Sequence, residues 1–223
     1  MPRKTHDNSL DTRKAILASA KRLFSRRGFE STSLSDIAKY AGVTRGAIYW
    51  HFENKEELLL ALLDSIEEDQ SYSKYLKEAC APTESDPLGK LKLWVLGIVE
   101  DLDVEFLNSA FVQLIIKILN GSSGNKNLQQ RLKDRQEQRN NDLVLALRNA
   151  VARGQLPSNL VVQTAAEHLN MFCIGYINQC RDNRADRIMR DFSLFVDWEF
   201  ETFKHITTNV LSLNYLFYGA VFI

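Results

Sequence analysis

The sequence predicts an all-α protein of about nine helices, and three observations carry that prediction. Apolar residues recur three and four positions apart along most of the chain, and no stretch alternates as a strand would. Helix-capping residues stand before the apolar runs: Ser33, Thr44, Asn54 and Asp86, the last followed by Pro87. Breakers then separate the runs, at Gly28, Gly42, Ala81-Pro82, Gly121-Ser-Ser-Gly124 and Gly154 to Pro157.

The elements follow in order. Residues 1–9 are polar and basic and are expected to form a flexible arm, from which Arg3 and Lys4 can reach a minor groove. Helix one is expected from about Asp11 to Arg27, with Ile16, Leu17, Ala20, Leu23 and Phe24 on one face. Gly28 stops it and Phe29 plugs the core. Ser33 caps a second helix with Asp36 three residues on, a variant of the capping box, and Leu34, Ile37 and Ala38 face inward. Gly42 ends that helix, Val43 packs into the corner, and Thr44 caps a third helix, Arg45 to His51.

Two short helices joined by a glycine turn form a helix-turn-helix, whose second helix enters the DNA major groove. In the segment 33–52, Ile48 and Phe52 point inward, leaving Arg45, Gly46, Ala47, Tyr49, Trp50 and His51 to share the outer surface. Gly46 is costly in a helix, about 1 kcal/mol against Ala, which suits a place where DNA must come close. Thr44, Tyr49 and His51 offer donors to phosphate, Arg45 can fork onto guanine, and Thr32 and Ser33 lie where another helix start can meet phosphate. Asn54 with Glu57 caps a fourth helix, in whose first turn Lys55 is a further phosphate candidate.

That fourth helix is expected to run unbroken from Lys55 to about Ala79, turning acidic midway at Glu67-Glu68-Asp69. Apolar residues recur at helical spacing from Leu91 to Val104 and again from Phe106 to Leu119. Further helices are expected over Asn125–Arg153, Ser158–Cys180 and Arg187–Leu211, with a polar loop at 181–186 and an apolar tail of unassigned role at 212–223.

The segment from about Asp11 to Asp64 resembles the DNA-binding domain of TetR-family transcriptional regulators. The matching pieces are Thr-Arg-Lys-Ala-Ile-Leu (12–17), Leu-Phe-Ser-Arg-Arg-Gly-Phe (23–29), Thr-Ser-Leu-Ser-Asp-Ile-Ala (32–38), Ala-Gly-Val-Thr-Arg-Gly-Ala-Ile-Tyr-Trp-His-Phe (41–52) and Asn-Lys-Glu-Glu-Leu (54–58). The run Val43 to Phe52, with Trp50 where Tyr is more usual, is similar to the AcrR-like branch that represses multidrug efflux pumps. The resemblance implies a DNA-binding domain over 10–70 and a ligand-binding and dimerisation domain over 71–211.

It further implies a homodimer on a palindromic, double-stranded DNA operator, released by a small-molecule inducer. Two-fold symmetry is also a physical requirement if two recognition helices are to occupy major grooves about 34 Å apart. Dimer contacts are expected from Ala165, Leu169, Phe195, Val196 and Phe203, with Phe172 and Tyr176 open to either role. A cavity for a bulky, apolar and often cationic ligand is expected from Trp94, Phe106, Phe111, Gln113, Phe172 and Tyr176. Glu67 is the preferred carboxylate among those aromatics, with Glu100 and Glu105 behind it. The alternative is a TetR-like regulator of metabolic genes, repressor or activator, answering to an acyl or aromatic metabolite.

Composition agrees and excludes other classes. The 28 basic and 28 acidic residues balance overall, but through Lys55 there are eleven Lys or Arg against five Asp or Glu, leaving 17 against 23 beyond. A basic head on an acidic body fits a nucleic-acid-binding module. No phosphate-cradling glycine loop, nucleophile elbow or His-Glu-x-x-His motif is present, so no enzyme, cofactor or metal is expected. The three cysteines have no metal-ligand spacing and are expected as reduced thiols. With no leader segment and no apolar run of membrane-spanning length, a cytoplasmic protein is expected.

Overall fold

The computed structural model describes residues 3–70, 72–100, 104–121, 125–180 and 190–207. Every regular element among them is a helix. Eleven helices lie among the described residues, α1 (Arg3–Arg27), α2 (Leu34–Tyr40), α3 (Arg45–His51), α4 (Lys55–Asp69), α5 (Ser73–Cys80), α6 (Pro87–Glu100), α7 (Val104–Leu107), α8 (Ala110–Leu119), α9 (Lys126–Ala152), α10 (Val162–Cys180) and α11 (Phe192–Thr202). The apolar tail at 212–223 and the loop at 181–186 lie outside the described residues.

Two breaks account for the difference from nine. The expected rod from Lys55 to Ala79 is two helices, because α4 ends at Asp69 and Gln70 is extended, at ψ 128°. The acidic run Glu67-Glu68-Asp69 sits at the helix C-terminus with no basic residue in the last turn. Negative charge there opposes the helix dipole and favours termination. Val104–Leu107 forms its own short helix, and Ser109 caps α8 by accepting from the Val112 N–H at 3.4 Å. Other ends shift as well: α1 begins at Arg3, α10 at Val162, and α11 stops at Thr202.

The chain divides into two compact units, Met1–Gln70 with Asp103–Lys133, and Ser71–Leu102 with Asp134–Ile223. In the first, α1 packs against α2, α3, α4 and α8. The stripe Ile16, Leu17, Ala20, Leu23 and Phe24 is buried against Ile37, Ile48, Phe52 and Leu58. Phe24 is the hub, 5.2 Å from the ring of Phe29 and stacked on Phe111 at 6.3 Å. The sequence assigned the segment containing Phe111 to the body. In the structure its apolar stripe, Phe111 and Ile118, completes the head core.

In the second unit α5 packs on α6, and α6 on α11. Asp86 caps α6 as expected, accepting from the Gly89 N–H at 2.9 Å and from the Gln155 side chain at 2.6 Å. Those two bonds hold its carboxyl below the usual range. Helices α10 and α11 run antiparallel, since Tyr176 lies 4.0 Å from Phe192 while His168 Nδ1 lies 3.1 Å from Glu199 Oε1. Glu199 is a buried carboxylate, and desolvation pushes its pKa up against the opposing charge of His168. The two facing atoms have no hydrogen-bond partner, so they are in contact without a hydrogen bond. All three cysteines are free thiols, and burial pushes Cys80 to about 11 and Cys173 to about 12.

Candidate nucleic-acid interface

Local hydrogen bonding builds the helix-turn-helix. The Ser33 hydroxyl accepts from the Asp36 N–H at 3.1 Å, and the Ser33 N–H donates to the Asp36 carboxylate at 3.0 Å. The box is therefore closed in both directions. The hydroxyl and then the N–H of Ser33 hold the Asp36 carboxyl below its ordinary value.

At the other end of α2, the Val43 N–H reaches Ala38 O at 3.0 Å and the Gly42 N–H reaches Lys39 O at 3.3 Å. This is a Schellman turn, and it needs the left-handed conformation that Gly42 adopts at φ 69°. Thr44 then caps α3, its Oγ1 accepting from the Ala47 N–H at 3.1 Å. Ile48 and Phe52 are buried, which fixes the rotation of the seven-residue helix.

That rotation turns Arg45, Gly46, Tyr49 and Trp50 to solvent, with Ala47 and His51 partly covered. Tyr49 is 50% exposed and Trp50 72%. Nothing in the fold uses them as core. Trp50 instead stands edge-on to the His51 ring at 4.6 Å. Burial, and then the charge of Arg13, hold His51 below its ordinary pKa. Its ring is biased to the neutral form, which still has one N–H to donate. Thr44 keeps its hydroxyl proton, because its oxygen acts only as an acceptor in the cap.

Two expected phosphate donors are otherwise engaged. Thr32 is 1% exposed and its hydroxyl donates to Gly28 O at 2.8 Å, so it locks the turn after α1 and does not face DNA. Ser33 is exposed, but its hydroxyl proton goes to the Asp36 carboxylate at 2.5 Å. Lys55 is intermediate: its ammonium donates to Phe29 O at 2.8 Å and lies 4.2 Å from the Phe29 ring, tying the start of α4 to the first turn. Two of its three protons remain available.

The expected ligand residues divide between the two units. Phe106, Phe111 and Gln113 belong to the first unit, whereas Trp94, Phe172 and Tyr176 belong to the second. Phe111, at 1% exposure and stacked on Phe24, is core. Glu67 lies on α4, but its side chain is outside the described residues. Glu100 and Glu105 are exposed.

Four of the five residues expected at a dimer contact are covered within the chain itself. Ala165, Leu169, Val196 and Phe203 are buried within their own unit, and of that set only Phe195 reaches the surface. The outward faces of the same two helices carry Met171 and Ile174 on α10, and Leu194 and Trp198 on α11. Their spacing was visible in the sequence, but both faces of each helix are apolar, and periodicity does not say which one stays uncovered.

Comparison with known proteins settles the family. Residues 16–62, from the second half of α1 to the first half of α4, match the bacterial regulatory proteins of the tetR family. The chain is 36% identical over 179 residues to the probable HTH-type transcriptional regulator ArpR of Pseudomonas putida, a match covering 80% of this chain and 84% of ArpR. The chain belongs to the TetR family. Among solved structures of similar fold, SmeT in complex with triclosan superposes with a TM-score of 0.71 at 25% identity, over 86% of this chain and 90% of SmeT. NalD, the secondary repressor of the MexAB-OprM multidrug efflux pump in Pseudomonas aeruginosa, gives a TM-score of 0.59 at 26% identity, over 89% of this chain and 98% of NalD.

Proposed function

We propose that the protein is a homodimeric transcriptional repressor of a multidrug efflux pump, released from a palindromic operator by a small hydrophobic ligand, cationic drugs among them. The observation that carries this reading is the exposed Arg45, Gly46, Tyr49 and Trp50 surface on the capped second helix of a helix-turn-helix. Likeness to efflux repressors along most of the chain supports the choice of target. The protein acts in the cytoplasm on chromosomal DNA and has a regulatory, non-catalytic role. No helix among the described residues is long and apolar enough to cross a membrane.

Arg45 is the proposed base reader, and Thr44, Tyr49, His51 and Lys55 the phosphate contacts. The outward stripe of Met171, Ile174, Leu194, Phe195 and Trp198 supports dimerisation through α10 and α11, paired with their symmetry mates as a four-helix bundle. Ligand binding acts by population shift: a hundredfold loss of operator affinity needs a coupling free energy of only about 2.7 kcal/mol. For the ligand, Trp94, Phe172 and Tyr176 of the second unit remain the proposed set.

Selection of DNA from a random pool by the purified protein, with and without a panel of cationic dyes, tests the reading. A palindromic motif lost on adding dye supports a drug-responsive repressor. A palindrome indifferent to every dye keeps the regulator and transfers the ligand to metabolites. Absence of any enriched motif overturns the assignment of α3.

A further inference from the structure

Arg13 lies outside the helix-turn-helix, yet the fold brings it to the end of the recognition helix. Helix α1 carries its guanidinium over the ring of Phe52, with Cζ 5.5 Å from the centroid. The His51 ring lies 6.1 Å from that same Phe52 ring. Phe52 is buried and Arg13 is exposed, so the aromatic ring is a platform with a cation on it and an imidazole beside it. A guanidinium that packs over a ring through cation–π attraction retains N–H groups that can bind an anion.

Arg13 also lies close enough to His51 to disfavour its protonation. A permanent cation next to a ring with an N–H donor is an arrangement whose natural third member is an anion. The anion that comes to this end of α3 on DNA is a backbone phosphate.

We propose that Arg13 is a phosphate-binding residue of the DNA interface, holding one backbone phosphate together with His51 at the C-terminal end of the recognition helix. This rests on the reading of α3 as the groove-entering helix. The contact carries no base information, and it fixes the tilt of α3 through a residue of α1. An Arg13 that only packs on Phe52 would stabilise the fold without adding to the counterions released on binding.

The test is the salt dependence of binding by full-length R13Q and R13K dimers, on the duplex that the wild-type protein selects. Each phosphate contact contributes about 0.9 to the slope of log K against log salt. Losing one contact per protomer should therefore make the slope of R13Q shallower by about 2, while R13K keeps the wild-type slope. The ranking of mutated operators should be the same for all three proteins. An R13Q slope equal to wild type overturns the proposal while leaving the function intact. A wild-type protein that selects no duplex overturns both. R13M, which keeps the packing on Phe52 without charge, replaces R13Q should that variant not fold, and the same slope decides.

Discussion

Replacing Gly46 with Ala separates folding from DNA binding, because the two respond with opposite signs. A Cβ built at Gly46 meets only Thr44 Oγ1, at 3.8 Å. The methyl group therefore has room in the free protein. Ala is favoured over Gly by about 0.8–1.0 kcal/mol in a helix interior, and we take about half of that, ~0.5 kcal/mol, for the first turn of α3. For a chain of this length the thermal midpoint should rise by about 1–2 °C. On the operator, the same methyl meets DNA that approaches the bare backbone. Overpacking a tight contact costs about 1–3 kcal/mol, which predicts an affinity roughly 5- to 150-fold weaker. Melting at fixed protein concentration and polarisation titration of a labelled operator measure the two effects. Unchanged operator affinity would refute the idea that Gly46 exists for close approach. A lowered midpoint would refute the steric reading of the position.

Two further outcomes are expected. Trp198→Glu, made together with Ile174→Glu, places charges on the outward faces of α10 and α11, and sedimentation should shift from dimer to monomer while helical content is retained. A dimer that persists would remove these residues from the interface. Glu199→Gln should raise the thermal midpoint more at pH 8 than at pH 5. The folded-state pKa of Glu199 is raised, so its protonated form favours folding below the unfolded value of about 4.5, and that benefit is lost as pH rises through the folded value. Above it a carboxylate is buried on α11, with His168 and Cys173 of α10 as its charged or titratable neighbours. The same gain at both pH values would mean that Glu199 does not titrate between them.

The sequence by itself determined what depends on neighbours a few residues away. The Ser33–Asp36 box, the Gly42 turn, the Thr44 cap and the Asn54 cap are bonds between groups no more than five positions apart. Such bonds are fixed by residue type and spacing, and so was the inward direction of Ile48 and Phe52, which sets the exposed face of α3. Tertiary structure decided whatever depended on which partner a group meets. Thr32 looked like a free hydroxyl until the turn at Gly28 took its proton. Phe111 looked like body and cavity until α8 laid it on Phe24. Arg13 looked like one more charge on α1 until the fold set it beside Phe52 and His51, about 40 positions along the chain. On α10 and α11 the sequence offered two apolar stripes apiece, and helix packing alone chose which to bury. Hydrophobic periodicity records that a face is apolar, whereas the identity of its partner is a property of the folded chain.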